Sequence, residues 1–267
     1  MGSQEVERRA EVLTEALAHR FAATLDRTPR ETGPQGIHWC LNTPDAPTAR
    51  LGEDGHALRA EFPDLPRRMW ASSEVAFHAP IPVGATVERT SRAVDTVVKE
   101  GKSGRLVFAT VSHEITADGV LAAVEQQSIV FRAAAAPGGN AAPARQPVEA
   151  AAWQWRRELT PSSALLFRFS ALTFNGHRIH YDEPYATGVE GYPGLVVHGP
   201  LMATLLLDLA DRELGPDGLA RFAFRAVSPA FVDAPLVLLG RREGTAVTMA
   251  ITDPAGGVIM TANAAAR

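Results

Sequence analysis

Apolar positions change period along the chain, and each change marks an element. Between Ser3 and Leu25, Val6, Leu13, Leu17, Phe21 and Leu25 recur at seven- and four-residue intervals, which predicts a single helix. From Asp26 to Pro66 this period dissolves into Pro, Gly, Thr and charge, an irregular excursion with one short strand candidate at Ile37-His38-Trp39-Cys40. From Ser73 the pattern is β: Val75 to His78, Thr86 to Val98, Arg105 to Thr116 and Val120 to Arg132. Turn residues separate these runs, Gly101-Lys-Ser-Gly104 and Asp118-Gly119 among them. Ala133 to Pro147 is small, Pro/Gly-rich and patternless, and reads as a linker.

The order then partly repeats. Phe222-Ala-Phe224-Arg-Ala226 answers Val75-Ala-Phe77-His-Ala79, and Val247 to Ala266 answers the strand–turn–strand run ending at Arg132. The helix of the second half follows Pro200, a residue that suits a first helical position, and stops at Gly215-Pro216. Its first turns (Leu201, Met202, Leu205, Leu206, Leu207) are apolar nearly all round, so it should be buried. A long helix wrapped by a curved antiparallel sheet, made twice, is the simplest α+β fold for this order.

Composition narrows the function. With 46% hydrophobic residues in 267, the chain can bury a real core. A net charge of −4 and a pI near 6.1 argue against a nucleic-acid partner. A lone cysteine, Cys40, excludes an internal disulfide framework. No apolar signal core and no run of 18 apolar residues appears, so the expectation is a cytoplasmic protein with no membrane partner.

The candidate chemistry is concentrated in Phe167 to Pro200. This stretch holds His177 and His180 in Asn175-Gly-His-Arg-Ile-His-Tyr-Asp182, and His198 in Val197-His198-Gly199-Pro200. A histidine is the side chain best placed to move protons near neutral pH. A helix N-terminus opening at Gly199 offers N–H groups to an oxygen atom. His177 and His180 could chelate a metal from one turn, but no Cys or Glu-x-x-His pattern completes a site. Asp182 reads as a cap of the motif turn, and His78 and His113 as ordinary strand positions.

These residues carry a family resemblance. The second half resembles the MaoC-type hotdog hydratases and dehydratases, whose signature runs Asp-x-Asn-Pro-Ile-His-x-Asp and continues to Val-His-Gly. The fuller wording, SALTFNGHRIHYD followed by YPGLVVHGP, is similar to type 2 hydroxyacyl-thioester dehydratases and mesaconyl-CoA hydratases. Arg67-Arg68-Met69-Trp70 and Val107 to His113 extend the likeness into the first half.

The resemblance implies a double hotdog: residues 1–132 without the catalytic motif, a linker at 133–150, and residues 151–267 carrying the active site. It implies reversible hydration of a 2-enoyl/3-hydroxyacyl thioester of coenzyme A or a carrier protein, with no cofactor and no metal. His180, Asn175 and Gly199 become the catalytic set, and His177, Arg178, Tyr181, Val197 and His198 the substrate-binding set. Asn175 stands where the broader family has the acid of an Asp/His pair, and an amide cannot take a proton as a base does. A short dicarboxylic acyl group would need a cation, and Arg178 is the nearest by sequence. A hotdog thioesterase and a non-catalytic thioester-binding module are the alternatives. Pairing of whole chains into a homodimer is compatible with the pattern.

Overall fold

The period-two stretches fold as antiparallel hairpins and join edge to edge. The computed structural model describes residues 6–58, 65, 67–101, 104–133, 147–148 and 153–267. The elements are β1 (Val6–Val12), α1 (Glu15–Thr24), β2 (Thr32–Gly33), β3 (Arg67–Phe77), β4 (Ile81–Pro82), β5 (Thr86–Gly101), β6 (Gly104–Ala117) and β7 (Val120–Arg132). They continue with β8 (Trp155–Leu159), α2 (Ser163–Leu172), α3 (Glu183–Gly188), α4 (Gly199–Leu214), β9 (Leu219–Ala226), β10 (Leu236–Glu243), β11 (Ala246–Thr252) and β12 (Val258–Ala266). β2 and β4 pair by themselves; the others form one 10-stranded sheet in the order β1-β5-β6-β7-β3-β9-β12-β11-β10-β8.

That order reads the same from both edges: β1 answers β8, β5 answers β10, and β3 meets its counterpart β9 at the centre. Val75 lies directly opposite Phe222, the residue that the sequence repeat equates with it. The fold is thus α+β of the double hotdog kind. Both outer strands, VERRAEV and WRREL, are charge-rich, which discourages further strands from adding to the edges.

Helix α4 fills the second half. Every residue from Leu201 to Ala210 is buried, as its all-round apolar sequence predicts. Each fully buried leucine contributes ~1.5–3 kcal/mol. Asp208, three per cent exposed at its side chain, is held by Arg157 at 2.6 Å and Arg212 at 2.8 Å, with Arg27 at 3.5 Å. Asp211 takes Arg27 at 2.5 Å and Arg30 at 2.9 Å. Acidic groups at a helix C-terminus oppose its dipole, and these arginines offset that while tying α4 to the first half.

Three sequence expectations change here. The helix foreseen over Ser3 to Leu25 is β1 followed by α1. Thr14 caps α1 by accepting from the Leu17 N–H, and only the Leu13, Leu17, Phe21, Leu25 spacing is helical; Val6 instead pairs with Arg92 on β5. Ile37–Cys40 is a 3-10 turn with all four residues buried, entered through Gly36 at φ 97°, not a strand. Among the described residues, the one long central helix belongs to the second half. Where the first half would need its own, it carries the excursion after α1. The linker lies outside the described residues apart from Ala133, Pro147 and Val148.

Candidate active site

A cavity of about 1850 Å³ opens where the first half lacks that helix. Its lining comes from the motif loop, the first turn of α4, the excursion and the inner face of β3, β5, β6 and β7. The motif loop starts after α2, which Ser162 caps through the Leu165 N–H. Phe174 (φ 49°) turns the chain, and the Asn175 side-chain oxygen accepts from the His177 N–H at 3.0 Å, an Asx turn. His180 is delivered by a 3-10 turn at Arg178–His180, and Asp182 caps α3 by accepting from the Tyr185 N–H at 3.1 Å.

His180 is 7% exposed. Its Nδ1 donates to the Val196 carbonyl at 2.7 Å. Because a carbonyl can only accept, Nδ1 carries the hydrogen and the neutral ring presents a lone pair at Nε2. Burial pushes the His180 pKa down to about 4, against the opposing pull of the Val196 bond. The ring is therefore neutral at pH 7 and fit to accept a proton.

His198 stacks behind it, ring centroids 3.6 Å apart, and shares a 2.8 Å hydrogen bond with the Ser170 hydroxyl. His198 is pushed well below its ordinary pKa by burial and by the His180 and His177 charges. Gly199 opens α4 beside the cavity, and among the described residues its N–H meets no acceptor.

His180, Asn175, Gly199, His177, Tyr181 and Val197 all line the cavity. Arg178 and His198, expected to touch substrate, are not among the residues that line it. Arg178 binds Asp182 at 2.8 Å and the Glu53 carbonyl at 3.0 Å, and lies 4.1 Å over the Tyr185 ring. It braces the loop, because Asp182 four residues on offers it a carboxylate. His198 supports His180 from behind.

Sequence reasoning missed two groups. The excursion brings Asp54 and His56 against the motif. His56 Nδ1 donates to Asp54 Oδ2 at 2.8 Å, and the His56 and His177 rings lie 4.0 Å apart. Burial alone would raise the Asp54 pKa, but two bonds from His56 hold it down at about 2. Asp54, His56 and His177 have ligating atoms all within 4.8 Å of one another. The direct Asp54–His56 bond completes that pair without a cation.

The second group is a polar row across the inner face: Ser91, His113 and Glu125 stand opposite one another on β5, β6 and β7. Glu125, 3% exposed, accepts from the Trp39 indole at 3.2 Å and from the Ser73 hydroxyl. Polar residues on the buried side of alternating strands were the one available signal.

The sequence matches the family described as hydroxyacyl-thioester dehydratase type 2 over residues 36–232. The chain belongs to that family. It is 43% identical to the mesaconyl-C(4)-CoA hydratase of Chloroflexus aurantiacus over 84% of this chain and 80% of that one. Two solved structures share the fold. The Mycobacterium tuberculosis protein HtdX has TM-score 0.72 and 18% identity, covering 98% of this chain and 100% of its own. A MaoC-like dehydratase from Phytophthora capsici has TM-score 0.73 and 13% identity, covering 99% and 95%. Members of the dehydratase family are hydro-lyases, and a buried, neutral His180 beside a helix N-terminus is chemistry of that kind. No helix among the described residues is long and apolar enough to cross a membrane.

Proposed function

We propose that this hydro-lyase adds water to a short 2-enoyl-CoA that carries a free carboxylate, of the mesaconyl type. The observation that carries the mechanism is the His180 Nδ1 bond to Val196, which leaves Nε2 as a base facing the cavity. His180 takes a proton from water as its oxygen bonds to the β-carbon, a role that contributes typically 10²–10⁴-fold. The π electrons move onto the thioester, whose oxygen is met by the Gly199 N–H at the positive end of α4. The Asn175 amide, tied by its oxygen to His177, offers its NH₂ to the water.

Two observations favour a carboxylate on the acyl group. Arg68, Arg89, Arg92 and Arg132 line the cavity beside Arg67, which is paired with Glu190 at 2.5 Å, and burying a carboxylate without a cation would be costly. The 43% identical relative is named for a dicarboxylic substrate. Arg68, on β3 in the cavity wall, is the clamp in this reading in place of Arg178, which does not line the cavity. One site per chain follows from this reading, because the motif occurs once.

The test is a kcat/KM panel over crotonyl-, octenoyl-, mesaconyl- and itaconyl-CoA, reading enoyl absorbance and free thiol together. The expected result is hydration without thiol release, a preference for mesaconyl-CoA, and selective loss of that preference in Arg68→Ala. Thiol release as the main product would replace the reading with a thioesterase. A preference for octenoyl-CoA would remove the carboxylate.

A further inference from the structure

Hydrating an enoyl thioester moves two protons, one off water and one onto the α-carbon. His180 accounts for the first. Asn175 cannot carry the second, because an amide does not titrate. We infer that Asp54 and His56, contributed by the excursion of the first half, form the second acid–base group of this site.

The geometry is that of an oriented imidazole. Asp54 Oδ2 accepts from His56 Nδ1 at 2.8 Å, and Asp54 Oδ1 accepts from the His56 backbone N–H at 2.9 Å. The carboxylate thus fixes the ring and sets Nδ1 as a donor. His56 lies against His177, whose ring centroid is 5.4 Å from that of His180. Asp54 and His56 both line the same cavity as His180.

This placement is built, not incidental. The Arg178 backbone N–H donates to the Asp54 carbonyl at 2.9 Å, and the Arg178 guanidinium to the Glu53 carbonyl at 3.0 Å. Gly55 (φ 85°) packs on Gly176 so closely that a Cβ there would overlap the Gly176 carbonyl oxygen. Arg178 and Gly176, which no catalytic role claims, are explained as the dock for this turn.

The water O–H bond breaks and its proton goes to His180 Nε2 while the oxygen bonds to the β-carbon. The resulting enolate takes the Nε2 proton of the His56 imidazolium at its α-carbon, and the thioester carbonyl re-forms. His180 then holds one extra proton and His56 lacks one. Exchange with water restores both. Dehydration runs the same transfers backwards.

The inference rests on the hydro-lyase reading, and the wild-type enzyme separates the two: absent hydration overturns that reading, whereas variants are judged against a wild type that hydrates. The variants are Asp54→Asn, His56→Ala, His56→Gln and Asp54→Asn/His56→Ala, each with a thermal melt. Expected are a kcat loss of about 100-fold or more for His56→Ala, KM nearly unchanged, and partial recovery with added imidazole. Asp54→Asn should lose activity alone and add almost nothing to His56→Ala, as for groups acting as a unit. If His56→Ala melts early, His56→Gln carries the same comparison. Folded variants with near wild-type kcat would overturn the inference. So would additive losses that imidazole does not recover. Activity lost to a chelator and restored by zinc would overturn it too, making Asp54, His56 and His177 a metal site instead.

Discussion

The two halves of the sheet share one topology and are filled in opposite ways. One row of facing residues crosses both: Val247, Ala264 and Phe222 in the second half, then Val75, Glu125, His113 and Ser91 in the first. On the second side the row is apolar from Phe222 to Val247 under the leucines of α4, and turns charged only at the exposed Arg242 on β10. On the first side no long helix among the described residues covers it, and the row turns polar and faces the cavity. The difference teaches that strand order is set by backbone pairing, while what fills the concave face decides between core and site. A helix bought at one place and omitted at the other yields a rigid support for His180 and room for a substrate.

The largest effect that breaks the comparison is at the closed end of α4. Asp208→Ala leaves Arg157, Arg212 and Arg27 without their shared carboxylate, and removing one partner of a buried charge network costs ~3–5 kcal/mol. Urea denaturation should show that loss, whereas catalysis by the fraction still folded should change little. A folded variant of unchanged midpoint would detach the second half's stability from this anchor.

A sharper contrast uses equivalent positions in the adjoining row. Met249 on β11 and Val111 on β6 both lie in the row that passes through Phe224 and Ser73. Met249 is fully buried, so Met249→Trp overpacks the core and should cost ~1–3 kcal/mol. Val111 lines the cavity, so Val111→Trp should leave the melting temperature nearly unchanged and raise KM or narrow the acyl range. Equal destabilisation by both would mean that the first half is packed like the second.

The smallest effect is the pH dependence. The folded pKa of His180 is held down at about 4, below the ordinary 6.5, so the unfolded chain binds the proton first as pH falls. Stability from this group is full above about pH 6.5 and is lost progressively between there and pH 4. His177 and His198 are shifted in the same direction and extend the loss. Melting temperature against pH should slope downward on the acid side over that range; a flat profile would put these rings in water.

What could be read from the chain follows the range of the interactions. α4, the Asp118-Gly119 turn (φ 46° and 80°) and the Asp182 cap are decided by neighbours in sequence, and each was legible. β1 was not, since its strand state is imposed by pairing with β5 about eighty residues away and charge on both faces hides any period. Ile37–Cys40 is buried on all sides in four residues, too short for a period to show. His180, Asn175 and Gly199 stood out through their motif. Asp54 and His56 sit in an excursion without pattern, and only folding brings them to His177. His113 reads as an ordinary strand position, and Glu125 does not stand out, because nothing local tells that the long helix lies in the other half.

The most direct measurement of the central claim, that a neutral His180 at the helix-filled half works into the cavity of the other, is single-turnover hydration by His180→Ala. The enzyme should bind mesaconyl-CoA with nearly unchanged affinity, melt close to the wild type, and hydrate it at least about 100-fold more slowly. Hydration at the wild-type rate by a folded His180→Ala protein would contradict the account.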